Sequence, residues 1–86
     1  MDYSGIYIKL IERAKGRIVD GYTEKHHIIP RCMGGDNKSR NLVSLTPEEH
    51  YLCHLLLVRI YPNNHKLVYA ANMMGNMGAT KKRWIR

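Results

Sequence analysis

Four histidines in two tight groups set the strongest limit on how this chain folds. His26 and His27 are adjacent, and His50 and His54 stand four apart. Between the groups lies a polar segment with Gly34-Gly35-Asp36-Asn37, rich in turn-forming residues. Short β-tolerant stretches flank it, at residues 23–29, bounded by Pro30, and at residues 42–45. Two strands alone do not stand in water. Something must fasten this hairpin to the rest of the chain, and the histidines are placed to do it.

The elements around the hairpin read as helices. Tyr3, Tyr7, Leu10, Ile11 and Ala14 fall on one face of a 3.6-residue period, so Tyr3–Lys15 is predicted helical, with Gly16 as its stop. Residues 17–22 form a connection with a turn at Asp20-Gly21. Thr46-Pro47-Glu48-Glu49 opens a second helix with Thr46 as N-cap, Pro47 in its first position and Glu49 closing a capping box. That helix runs to about Tyr61 before Pro62, and it is apolar almost all round, which predicts a central position. Asn63 or Asn64 caps a third helix over residues 66–74, and residues 75–80 loosen. The fold class expected is α+β. A two-stranded hairpin with a long loop packs on a central helix, with further helices at either end.

At 86 residues the chain makes one domain, burying roughly 60–65% of its unfolded surface. The expected division is a single domain over residues 1–80, its core at 23–60, and a basic tail at 81–86. There is no Phe, so the core rests on aliphatic residues, Met and six Tyr. Two cysteines, Cys32 and Cys53, are too few for a disulfide framework or an all-cysteine zinc site, and they are read as packing residues. The net charge of +7 favours a polyanionic partner. No segment approaches the ~20 apolar residues of a membrane span. A cytoplasmic protein that binds no membrane is therefore expected.

The spacing of the histidines carries chemistry. Four residues on a helix bring both imidazoles to one face. Neighbours on a strand point to opposite faces. One of His26 and His27 can thus join His50 and His54 around a cation while the other points into a cleft. Three neutral imidazoles bind a divalent cation and leave a position open, and a fourth near its natural pKa can act as general base for water. Phosphodiester hydrolysis needs both. Read singly, an adjacent His pair is commonly two surface side chains, and a purely structural zinc site would use the same three ligands.

In order, His26-His27-Ile28-Ile29-Pro30, Gly34-Gly35-Asp36, Asn41-Leu42-Val43, Leu45-Thr46-Pro47-Glu48-Glu49-His50 and His54 resemble the HNH endonucleases with a ββα-metal core. The doubled first histidine and the helical HxxxH are similar to the nuclease colicins and to small phage HNH homing-type endonucleases. The lead-in around Arg13-Ala14-Lys15-Gly16-Arg17 also looks like that of the phage proteins. The resemblance implies His26, His50 and His54 as metal ligands and His27 as general base. It implies that Asn41 holds the loop so that the His27 ring stays oriented. Glu24 would be an acid that braces a nearby basic side chain.

The implied activity is hydrolysis of double-stranded DNA, as a nick or a double-strand break, leaving 5′-phosphate and 3′-hydroxyl ends. One divalent ion (Mg²⁺, Mn²⁺, Ni²⁺ or Zn²⁺) would serve it. The protein would be phage-encoded, expressed in a bacterial host, and a monomer or homodimer. The alternative is a non-catalytic nucleic-acid-binding module with a structural three-His zinc site. Unlike many HNH proteins, the chain has no CxxC pair to clamp a structural zinc. Arg31, Lys38 and Arg40 flank the loop and are expected to grip phosphates, as are Lys81, Lys82, Arg83 and Arg86 around Trp84. His65 reads as a helix-start polar residue, and Met73, Met74 and Met77 as core or interface filler.

Overall fold

The computed structural model describes residues 1–81. Helix α1 spans Tyr3–Lys15, as its apolar period requires, and buries Tyr7, Leu10, Ile11 and Ala14. Asp2 caps it by accepting from the Gly5 amide at 2.9 Å, and the chain leaves the helix at Gly16. Two strands follow, β1 at Glu24–His27 and β2 at Leu42–Leu45, paired antiparallel with His26 opposite Val43 and His27 opposite Leu42. Helix α2 is Pro47–Ile60 and α3 is His65–Lys81. The class is α+β, a ββα unit with one helix before it and one after, as expected.

Strand β1 is shorter than the predicted 23–29, and Asn41 supplies the reason. Its side-chain oxygen accepts from the Ile29 amide at 2.8 Å, and its nitrogen donates to the Ile29 carbonyl at 3.1 Å. Both backbone groups of Ile29 are thus taken out of the ladder, and the chain turns away. The loop that follows contains single 3₁₀ turns at Arg31–Met33 and Ser39–Asn41. Gly34 ends the first of these in the left-handed region, at φ +94°.

The second helix starts as its sequence dictates. Thr46 Oγ1 accepts from the Glu49 amide and Glu49 Oε1 accepts from the Thr46 amide, closing the capping box. Arg17 grips the same carboxylate through both guanidinium nitrogens, one of them at 2.6 Å from Oε2. This fork holds Glu49 at about 2, well below the usual carboxylate range, chiefly through the Arg17 hydrogen bonds. α2 packs against α1, α3 and both strands. It is not buried on all sides, however. Cys53, Leu56 and Leu57 face inward, whereas Leu52 and Leu55 are 45% and 40% exposed. A helix with neighbours on three sides still leaves one stripe outside.

Helix α3 is capped by Asn64, whose side chain accepts from the Lys66 and Leu67 amides. It continues to Lys81, past residue 74 where the sequence predicted its end. Glycine inside a helix costs about 1 kcal/mol relative to Ala. At Gly75 a Cβ would stand 3.0 Å from the Tyr51 hydroxyl, so the missing side chain lets α3 close on α2. Cys53 is buried, its thiol pushed up to about 12 by burial with Glu49 adding to the effect. Cys32, expected to pack, is exposed because it sits in the first 3₁₀ turn, which buries none of its residues. His65 is exposed at the start of α3 and Met73 is 44% exposed. Lys82, Arg83, Trp84 and Arg86 lie outside the described residues, and Lys81 is described only as the last residue of α3.

The close approach at Gly35 generates a test. A Cβ there would stand 1.8 Å from the Ile29 carbonyl oxygen and 2.9 Å from Asn41 Nδ2, whereas one on Gly34 meets open space. Gly35→Ala must therefore move backbone and should cost about 1–3 kcal/mol, as overpacking does. That corresponds to roughly 4–8 °C of melting temperature per kcal/mol in a domain of this size. Gly34→Ala carries only the left-handed backbone penalty, about 1–2 kcal/mol. Thermal melts of the two variants check the order; a larger loss at Gly34 would contradict the packing.

Candidate metal centre and cleft

The pleat sorts the residues of β1. Glu24 and His26 lie on one face and Lys25 and His27 on the other. His26 is buried to 1% exposure, against the first turns of α2. There His50 and His54 leave the same side of the helix. The three rings pack edge to face, with centroids 5.2 Å apart for His26–His50, 5.2 Å for His26–His54 and 5.0 Å for His50–His54. One nitrogen from each ring lies within 4.8 Å of the others, so the group could hold a metal ion.

The donor chemistry fits a cation. Burial, followed by the neighbouring His54, His50 and His27, pushes His26 down to about 3. Burial and His50 push His54 down to about 4. Both rings are therefore neutral at physiological pH, as ligands must be. Nδ1 of His26 and Nδ1 of His54 are buried with no hydrogen-bond partner. A buried polar atom without a partner costs about 1–3 kcal/mol. A divalent ion is the kind of partner that a bare imidazole nitrogen lacks. His50 is oriented from behind, since its Nδ1 lies 2.8 Å from Glu24 Oε1. Tyr22 in turn donates to Glu24 Oε2 at 2.9 Å. The basic group that meets Glu24 is thus an imidazole of the three-histidine group.

His27 takes a different environment from its neighbour. It is half-buried, and its Nε2 lies 2.7 Å from Asn37 Oδ1. The side-chain hydrogen bonds of Asn41 go to backbone groups of Ile29 and Asp36, and the ring's goes to Asn37. Asn41 donates to the Asp36 carbonyl at 2.9 Å, one residue before Asn37, so it holds the loop that carries the ring's partner. His26, His27, His50 and His54 line one cleft of about 360 Å³ together with Lys25, Arg31, Cys32 and Lys66. A larger groove of about 440 Å³ runs between α1 and the loop, past Ile8, Ile29 and Arg40, and holds none of the histidines.

Of the loop cations singled out in the sequence, Arg31 lines the histidine cleft. Lys38 and Arg40 do not; Arg40 is exposed and pairs with Asp36 at 3.1 Å. Lys25 and Lys66 line the cleft and went unnoticed in the sequence. Lys25 adjoins His26, which was a usable signal. Lys66 comes from α3, and only the tertiary fold brings it there. Tyr7 was read as a core residue, yet its hydroxyl lies 2.7 Å from His26 Nε2 and donates to the Ile28 carbonyl at 2.7 Å. Burial raises its pKa, with Cys53 and Tyr61 adding to the effect.

Comparison with known proteins gives phage relatives. The chain is 50% identical over 84 residues to probable mobile endonuclease E of Enterobacteria phage T4, covering 96% of this chain and 59% of that protein. It is 46% identical over 83 residues to probable mobile endonuclease D of the same phage, covering 91% of this chain and 32% of the relative. It is 52% identical over 79 residues to probable mobile endonuclease B, covering 86% and 30%. The chain thus spans from under a third to under two thirds of the length of these curated relatives. No family model matches it, and no solved structure matches it. The resemblance to small phage endonucleases read in the sequence is borne out by these relatives. Among the described residues no helix is long and apolar enough to cross a membrane.

The depressed histidines make stability depend on pH. Their folded pKa values of about 3 and about 4 lie below the unfolded value near 6.5, so the unfolded chain binds protons first. Their contribution is fully present above pH 6.5 and is lost as pH falls toward 4. Each proton contributes a slope of up to about 1.4 kcal/mol per pH unit. Denaturant titrations of metal-free protein between pH 7 and 4 should show this decline. Glu49, depressed to about 2, adds its own loss only below about pH 4.5. A flat stability between pH 7 and 4.5 would show that the imidazoles are not held neutral.

Proposed function

We propose that this chain, a homologue of phage proteins named probable mobile endonucleases, is an HNH-type, metal-dependent DNA endonuclease domain. The observation that carries the reading is the fourth imidazole. Three histidines suffice to hold a cation, and His27 stands on the same cleft outside that group. A purely structural site has no use for it.

His26, His50 and His54 would hold one divalent ion, of which Mg²⁺, Mn²⁺, Ni²⁺ and Zn²⁺ are the candidates. When bound, the ion supplies Lewis-acid stabilisation of charge on the phosphate oxygens. The rest belongs to the chain. Asn37 Oδ1 is an acceptor, so His27 Nε2 carries a proton toward it and Nδ1 is left as the base. Water attacks phosphorus and gives its proton to His27; the bond to the 3′ oxygen breaks and that oxygen takes a proton from solvent water, leaving a 5′-phosphate and a 3′-hydroxyl. Asn41 acts one step back, by fixing the backbone at Asp36 beside Asn37. Arg31, Lys25 and Lys66 line the cleft and would meet the phosphates of duplex DNA. Lys38, Arg40, Lys81, Lys82, Arg83 and Arg86 would add sequence-independent attraction along the backbone, in keeping with the net charge of +7.

A plasmid-nicking assay tests this, with chelated protein and with each of the four ions restored. Cleavage should vanish with chelator and return with metal. His27→Ala should keep metal binding and lose roughly 10²–10⁴-fold in rate. His50→Ala should weaken metal binding, and with it the stabilisation gained on adding metal, which reaches about 2.7 kcal/mol at a hundredfold excess over Kd and is read as a rise in melting temperature. Metal binding with no cleavage under any ion would point instead to a nucleic-acid-binding module with a structural zinc.

A further inference from the structure

Tyr7 belongs to α1, outside the hairpin and the helix that carry the four histidines, yet its hydroxyl touches His26. Counting protons assigns the direction of both of its hydrogen bonds. A phenol carries one proton, and a backbone carbonyl carries none. Across the 2.7 Å contact with the Ile28 carbonyl the hydroxyl must therefore donate. Toward His26 Nε2, also at 2.7 Å, it has only lone pairs left, so Nε2 must be the donor. A neutral imidazole holds one proton, on one nitrogen or the other. With that proton on Nε2, His26 Nδ1 is a bare lone pair, and this is the atom found buried and unpartnered.

We propose that Tyr7 is a positioning residue for the metal centre: it locks His26 in the Nε2–H tautomer, so that Nδ1 is the atom offered to the cation. The proposal rests on the three-histidine metal site argued above. Glu24 performs the corresponding task for His50 with different chemistry. A carboxylate accepts, so His50 donates from Nδ1 and presents Nε2. Two ligands of one site are thus set in opposite tautomers, one by a phenol relaying to a carbonyl and one by a carboxylate. The phenol suits the deeper position. Tyr7 and His26 are 7% and 1% exposed, and a neutral partner there avoids burying a charge.

The test needs no DNA. In ¹⁵N-labelled, metal-free wild-type protein at neutral pH, imidazole nitrogen spectra should show His26 protonated at Nε2 and bare at Nδ1. Zn²⁺ should then shift the Nδ1 resonance. Tyr7→Phe removes one oxygen and keeps the ring in the core. It should populate both tautomers and lower Zn²⁺ affinity about 10–100-fold, the range usual for losing an outer partner of a ligand. Circular dichroism and melting should report a folded variant. A wild-type His26 protonated at Nδ1, a Zn²⁺ shift at Nε2, or undiminished Zn²⁺ affinity in Tyr7→Phe would each overturn the role. Should the variant not fold, the wild-type spectrum decides alone. Absence of any Zn²⁺ binding by wild type would overturn the metal site and this role together. Failure to cleave DNA would leave both standing.

Discussion

Everything near the cleft is arranged around one buried imidazole. His26 is almost fully enclosed, and a polar ring in that position must have its nitrogens accounted for. One nitrogen is satisfied from α1, through Tyr7. The other is unpartnered, on a ring that packs against two histidines of α2. The hairpin that carries His26 has only two strands of four residues, too few to persist unaided. Its stability must come from what it packs on, and the contacts of His26 run to both of the helices that sandwich it. A cation among the three rings would tie the hairpin to α2 by bonds much stronger than side-chain packing.

The second constraint is where α2 begins. Thr46, Glu49 and Arg17 form one connected unit: the cap fixes the first turn, and the guanidinium fork fixes the cap to the segment after α1. His50 is the next residue in the chain, so its ring direction inherits that rigidity. Glu24 completes the hold from β1, where the two-residue period puts it on the same face as His26.

Most of this architecture was legible because it rests on local rules. The period of α1, the capping box at Thr46, the stop before Pro62 and the alternation that separates His26 from His27 are all set by neighbours in the chain. The pairing of HxxxH with one histidine of the doublet was legible for the same reason. What escaped depends on contacts distant in sequence. Nothing local says that Asn41 would capture both backbone groups of Ile29 and end β1 early. Nothing local says that Gly75 would lie against Tyr51 and let α3 close on α2. Lys66 reaches the cleft only because α3 folds back beside it. Tyr7 was visible as an apolar-face residue, but its hydroxyl was the overlooked signal, since a buried phenol must place its proton somewhere.

The dependence on α1 changes what counts as the core. A ββα unit drawn over residues 23–60 contains all four histidines, Glu24 and Asn41, so it looks chemically complete. Physically it lacks two of its supports. Arg17, which pins the start of α2, lies before it, and so does Tyr7, which satisfies His26. Leu10, Ile11 and Ala14 also lie before it, and they belong to the same hydrophobic cluster as Val43, Leu45 and Leu57. Removing residues 1–17 would expose that cluster and leave Glu49 without its fork and His26 Nε2 without its acceptor. The first helix is therefore part of the site's construction, even though none of its residues stands among the three candidate ligands.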